Sequence, residues 1–169
     1  MEEIVIADLS SAVHAGAIVY LLNEYAKDDM GGGRQLPDFV KDNLVAELRR
    51  RQSVHVVLAF SDALPAGMAI CFEGFSTFSC MPLLNVHDLI VDRGFRGRGL
   101  SRRLLAKAEQ VASSLGCCKL TLEVLEGNVV AQSVYRACGF AGYELDPKMG
   151  RAMFWQKKLP QANPAAGTL

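Results

Sequence analysis

The sequence predicts an α/β fold: a mixed, mostly antiparallel sheet of six or seven strands flanked by about four helices. Three observations carry this expectation. Short runs rich in Val, Ile, Leu and Phe alternate with longer stretches whose apolar residues recur every three to four positions. The resulting order along the chain is β-α-α-β-β-β-α-β-α-β-β. A helical stretch, Leu100 to Leu115, lies between two apolar runs, so a right-handed parallel β-α-β crossover is expected at the centre of the sheet. Half of the 169 residues are apolar, which suffices for a substantial core and excludes global disorder. A chain of this length suits one domain, expected over 1–159, followed by a Pro/Ala-rich tail over 160–169 expected to be mobile.

Each element has its own signal. Ile4 to Ala7 reads as a short strand. Asp8, Ser10 and Ser11 offer helix N-caps, and Val13, Ala17, Ile18, Leu21, Leu22 and Tyr25 then follow at helical spacing. Gly31-Gly32-Gly33 breaks that helix, and Leu36 to Arg51 forms a second with Pro37 near its first turn. Val54 to Phe60 and Ala66 to Phe75 read as paired strands around a turn at Ser61-Asp62-Ala63, and Leu83 to Val91 as the next strand. Leu100 to Leu115 is a helix closed by Gly116, Cys118 to Val124 a strand, and Asn128 to Cys138 a short helix closed by Gly139. Phe140 to Tyr143 and Ala152 to Lys158 read as the last two strands.

Composition narrows the function. Lys plus Arg and Asp plus Glu both number 18, and a neutral chain lacks the basic excess of a bulk nucleic-acid binder. The positive charge is local, with Arg93, Arg96, Arg98, Arg102 and Arg103 falling within eleven residues. The five cysteines are odd in number and show no CxxC spacing, which points to reduced, mostly buried thiols and to no metal site. Met1-Glu2-Glu3 lacks the basic start and apolar run of a signal peptide, and no apolar run reaches the ~20 residues that span a bilayer. A cytoplasmic protein without membrane or nucleic-acid partners is expected.

The chemistry concentrates at Arg96-Gly97-Arg98-Gly99-Leu100-Ser101. Leu89-Ile90-Val91 precedes it as the end of a strand, and a helix starts within it. Strand, basic glycine-rich turn and helix start make an anion site: the first helix amides lack internal partners, and glycines let them approach a phosphate. A Walker loop is excluded, because the chain contains no Gly-Lys pair. The dinucleotide fingerprint starts well at Gly97 and Gly99, but Arg102 occupies the place of its third glycine. An RNA-binding Arg-Gly segment would be repeated and disordered, whereas this one occurs once between strongly periodic elements.

At this point the residues resemble a known family. Val91 to Leu100 is similar to motif A of the GCN5-related N-acetyltransferases (GNAT), written Arg/Gln-x-x-Gly-x-Gly/Ala, with Ser101 in place of the last Gly/Ala. Leu122-Glu123-Val124, then Asn128, Ala131, Tyr135 and Cys138-Gly139-Phe140, resemble the family's motif B at matching spacing. The likeness is specific over 85–144 and rests on element order over 1–84. It implies a GNAT-like fold with acetyl-CoA (coenzyme A) as cofactor and a small-molecule or peptide amine as acceptor. Homodimers are common in the family.

The resemblance also implies roles. Backbone amides of Arg96, Gly97, Arg98, Gly99, Leu100 and Ser101 would hold the pyrophosphate, with Arg98 and Arg102 or Arg103 adding charge; a solvated helix face fits Arg102 and Arg103 as well. Main-chain groups of Leu89, Ile90 and Val91 would pair with pantetheine like an added strand. Ala131, Val134, Tyr135 and Cys138 share one helix face, and Tyr135 would be the general acid, a phenol with a reference pKa of about 10 being protonated at neutral pH. Spacing alone favours a packing tyrosine, and it is the motif match that points to the acid role. Asn128 suits both an N-cap and a cofactor contact. His87 would be the general base, against a purely structural histidine, and Glu123 a weaker candidate. Asp88 should face away from His87 unless the strand is bulged. Tyr20, Glu24, Tyr25, Arg34 and Phe39 are candidates for the acceptor side, with the Gly31–Gly33 loop as a lid, while Glu24, Asp28 and Asp29 could attract a cationic amine. The leading reading is acetyl transfer to a primary amine. The alternative is an acyl-CoA-binding regulatory module without transfer.

Overall fold

The computed structural model describes residues 1–160. Its sheet has the order β1 (Glu2–Ile6), β2 (Val54–Ser61), β3 (Leu64–Ser76), β4 (Met81–Val91) and β5 (Leu120–Leu122). The first four strands run antiparallel to their neighbours, and β5 lies parallel to β4. The helices are α1 (Ala12–Ala26), α2 (Asp38–Arg49), α3 (Leu100–Ser114) and α4 (Val129–Ala137). α3 makes the expected crossover between β4 and β5.

Both faces of the sheet are covered, which is why β2 and β3 read as nearly continuous apolar runs rather than alternating ones. Val57, Ala59, Ala69, Cys71, Leu84 and Val86 meet α3 on one face. Leu100, Leu104, Leu105, Ala108, Val111 and Ala112 supply its buried stripe, at the spacing of one helix face. On the other face Val56, Leu58, Phe60, Met68, Ile70 and Ile90 pack against Ala17, Ile18 and Leu21 of α1 and Leu48 of α2. Burial pushes the Cys71 thiol up to about 12, so this cysteine is an inert core residue. Against the expectation of mostly buried thiols, Cys71 alone of the five is buried; Cys117, Cys118 and Cys138 are partly exposed and Cys80 is exposed.

Two features shape the site. β5 is short: its pairing with β4 ends at Val86 opposite Leu122, while β4 runs on to Val91. The parallel strands therefore part, and β4 presents unpaired backbone along a cleft. The second feature is a register shift between Ile70 and Cys71, which pair with Asp88 and Val86 and leave His87 as the extra residue of a bulge. The alternation expected of a regular strand is thereby broken between His87 and Asp88.

The sheet has five strands, not six or seven. Residues 140–143 and 152–158, expected as strands, form none, and a single bridge joins Glu144 to Arg151. The physical reason is the lack of a partner and of a face to cover. A three-residue edge offers almost no ladder, and Tyr143, Met153, Phe154 and Trp155 remain largely exposed. Of the expected tail, all but Pro160 lies outside the described residues. Among the described residues no helix is long and apolar enough to cross a membrane.

Candidate active site

The turn between β4 and α3 takes its shape from two glycines. Gly97 and Gly99 have φ of 79° and 76°, the left-handed region that side chains disfavour. Gly99 is the N-cap of α3 and supplies no side-chain acceptor, whereas Ser11 caps α1 and Asn128 caps α4. The first amides of α3 therefore lack a capping partner from the protein, and the helix dipole adds partial positive charge there. Leu100, Ser101 and Arg102, which carry those amides, line a cavity of about 790 Å³.

One wall of this cavity is the end of β4, Leu89 to Val91, which has no strand partner on the β5 side although its Val91 carbonyl accepts from Arg96 Nε; the floor is Arg96, Gly97 and the start of α3. The opposite wall is α4, with Asn128, Ala131, Val134 and Tyr135. Most of the residues singled out for donor binding thus converge on one cleft. A cradle of left-handed glycines at an uncapped helix start fits a pyrophosphate, and the open backbone of β4 fits an extended amide chain.

Two residues do not converge. Arg98 turns away from the cavity: its Nη2 donates to the Gly94 carbonyl at 3.3 Å, and its guanidinium sits 5.4 Å from the centre of the Phe95 ring. His87 is exposed at the bulge and meets Phe72 edge-on at 5.4 Å, outside the cavity lining. The arginine cluster is otherwise occupied. Arg93 and Arg96 reach Asp28 at 3.4 and 3.0 Å, and Arg103 pairs with Glu2 of β1. Arg102 alone of the five lines the cavity without an ion pair among the described residues.

Tyr135 is half-buried, with its ring 6.0 Å from that of Phe140. Burial, and secondarily the nearby Tyr25, raise its phenol above the usual tyrosine range, so it is protonated at neutral pH. Asn128 acts as an N-cap, its Oδ1 accepting from the Ala131 amide at 3.1 Å, while also lining the cavity. Asp88, also outside the cavity lining, is half-buried, and burial raises its carboxyl above the ordinary range, partly offset by His87. Glu123 accepts from Asn85 Nδ2 at 3.2 Å, a tie between β4 and the end of β5 rather than a free base.

The near wall comes from the last turn of α1 and the chain that follows it. Tyr25, Asp28 and Met30 complete the cavity, and only the first two carry a signal in the sequence. Nothing local marks Met30; it lines the cavity while still partly exposed, its amide donating to Asp28 Oδ1 at 3.2 Å, and Gly31 beside it packs where any Cβ would meet the Tyr25 carbonyl. Of the other acceptor-side candidates, Tyr20 donates to Asp92 at 2.9 Å, and Tyr20, Glu24, Arg34 and Phe39 lie outside the cavity lining.

Known proteins share parts of this sequence and its fold. A thialysine N-epsilon-acetyltransferase from Caenorhabditis elegans is 32% identical over 96 residues, covering 55% of this chain and 59% of that enzyme. A glucosamine 6-phosphate N-acetyltransferase from Oryza sativa subsp. japonica is 31% identical over 108 residues, 62% of each chain. The chain thus spans about three-fifths of the length of these relatives. An aminoglycoside acetyltransferase, AAC(6')-Iy, solved with a CoA-containing bisubstrate analogue, superimposes with a TM-score of 0.73 at 19% identity over 94% of this chain and 99% of that one, a likeness of fold. Residues 18–140 match the profile of the acetyltransferase (GNAT) family, spanning β2 to β5 and all of the cavity's elements, and the chain belongs to that family.

Proposed function

We propose that the protein is an acetyl-CoA-dependent N-acetyltransferase acting on a primary amine of a small molecule or peptide by direct transfer. The observation that supports this most is the single cleft in which the uncapped start of α3, the open end of β4 and the Tyr135 phenol meet. When bound, acetyl-CoA supplies a thioester carbonyl open to attack by a neutral amine.

The chain's own residues divide the remaining work. Amides of Gly97 to Arg102 and the Arg102 guanidinium hold the pyrophosphate. Main-chain groups of Leu89 to Val91 align the pantetheine arm and fix the reacting carbon beside β4. As the amine nitrogen bonds to the acetyl carbon and the carbon–sulfur bond breaks, Tyr135 protonates the departing thiolate. The proton lost from the amine leaves through water toward His87, the base in this reading, which stands at the exposed β4 bulge outside the cavity lining.

The test is thiol release from acetyl-CoA over a panel of primary amines, with the acetylated amine identified by mass. Amine-dependent release supports the enzyme. Tight CoA binding without release on any amine, unchanged in Tyr135→Phe, supports a binding module instead.

A further inference from the structure

The turn that cradles the pyrophosphate is tied to the other side of the molecule. Asp28 follows the end of α1 and caps a short 3-10 turn, Asp29–Gly31. Its Oδ2 accepts from Arg96 Nη2 at 3.0 Å and from Arg93 Nη2 at 3.4 Å, while its Oδ1 accepts from the Met30 amide. The Asp28 side chain is only 15% exposed. Arg96 is held at a second point, its Nε donating to the Val91 carbonyl at 3.1 Å. Nearby, Tyr20 of α1 donates to Asp92, which itself caps the 93–95 turn. The segment from Asp92 to Arg96 is therefore pinned twice to the α1 side just before the backbone enters Gly97.

We propose that Asp28 is a positioning residue for the donor turn. It acts through Arg96, fixing where the chain leaves β4 and so where the following amides point into the cavity. This rests on the reading of the turn as the pyrophosphate grip. A cradle of backbone amides binds well only when the amides are held in place before the ligand arrives, because each amide that must be ordered on binding subtracts from affinity. Asp28 also forms part of the cavity wall with Met30, so the same carboxylate that orders the turn sets the near edge of the cleft.

The test compares Asp28→Asn with wild type on two probes, CoA and pantetheine, which lacks the phosphates. Asparagine retains an oxygen to cap the Met30 amide and loses the charge that holds both arginines, so the 3-10 turn is preserved. The expected result is CoA binding weakened about fivefold to tenfold, the scale of one charge-assisted contact that is partly solvated, with pantetheine binding within twofold of wild type. In an Arg96→Gln background the same substitution is expected to change CoA affinity less than twofold, since its effect runs through that guanidinium. CoA bound as tightly as in wild type, or tighter, overturns the proposal, because the carboxylate would then compete with the pyrophosphate for Arg96. Equal weakening of both probes also overturns it, since that marks general loss of the cavity wall. Wild-type protein binding neither probe would refute the donor assignment itself, a separate outcome.

Discussion

Replacing Gly99 with alanine isolates what the donor turn asks of the backbone. Gly99 sits at φ 76°, ψ 9°, and a Cβ built there meets nothing within 4 Å. The substitution therefore adds no clash, only the left-handed strain of an L-residue, about 1–2 kcal/mol. That strain has two outlets. If the turn holds its shape, the whole fold carries the cost, and Tm falls by about 2–8 °C for a protein of this size. If the turn relaxes instead, the binding-competent shape becomes a minor state, and CoA affinity falls by about fivefold to thirtyfold. Thermal unfolding and calorimetric CoA titration on one preparation read both outlets. Gly16→Ala is the control: this glycine lies within α1, its Cβ would also meet open space, and alanine there should stabilise by about 1 kcal/mol with CoA affinity unchanged. Gly99→Ala protein with both Tm and CoA affinity at wild-type values would refute the reasoning.

Further outcomes follow from the packing and the charges. Leu104 is fully buried under the α3 face of the sheet, and Leu104→Ala should cost about 2–5 kcal/mol, read as a lowered denaturant midpoint; an unchanged midpoint would mean that the site is not packed as described. Asp88 is raised by burial, so the native state binds its proton more tightly than the unfolded chain does, and stability falls as pH rises from 3.8 through the raised native value. Asp88→Asn removes that loss: it should be more stable than wild type at neutral pH, with the gap closing as the pH drops toward 3.8, and a pH-independent gap would contradict this. His87→Ala should lower the rate mainly at lower pH, where the amine needs more help losing its proton; an unchanged pH–rate profile would mean that water or another group takes it.

The parts of the site that were legible in the sequence are the ones specified by neighbouring residues. Gly97 and Gly99 demand a turn, Leu100 to Leu115 a helix, and Leu89 to Val91 a strand, so the cradle can be read from one short stretch. Helical spacing puts Tyr135 on one face with Ala131 and Val134, while the site roles of Asn128 and Tyr135 come from their resemblance to motif B. What was hidden depends on pairing across the chain. The bulge that breaks the alternation at His87 and Asp88 arises from the register of β3 against β4, and no local pattern in β4 announces it. The arginine cluster looked like a single anion patch, but its partners Asp28 and Glu2 lie far away in sequence and remove Arg93, Arg96 and Arg103 from the free charge. The segments at 140–143 and 152–158 alternate like strands yet form none, because a strand exists only against a partner edge and a face to cover. The fold class was legible because two strongly periodic helices and three long apolar strands dominate the core, and those survive the loss of weak edge elements.

The account stands most directly on Tyr135. Acetyl-CoA binding and amine-dependent thiol release should be measured together for wild type and Tyr135→Phe, at neutral pH, on the best amine of the panel. Phenylalanine keeps the ring that packs beside Phe140 and loses only the phenol that faces the cavity. Donor affinity within twofold of wild type, with turnover lowered by roughly 10²–10⁴, is the expected result for loss of a general acid. Turnover equal to wild type would contradict it.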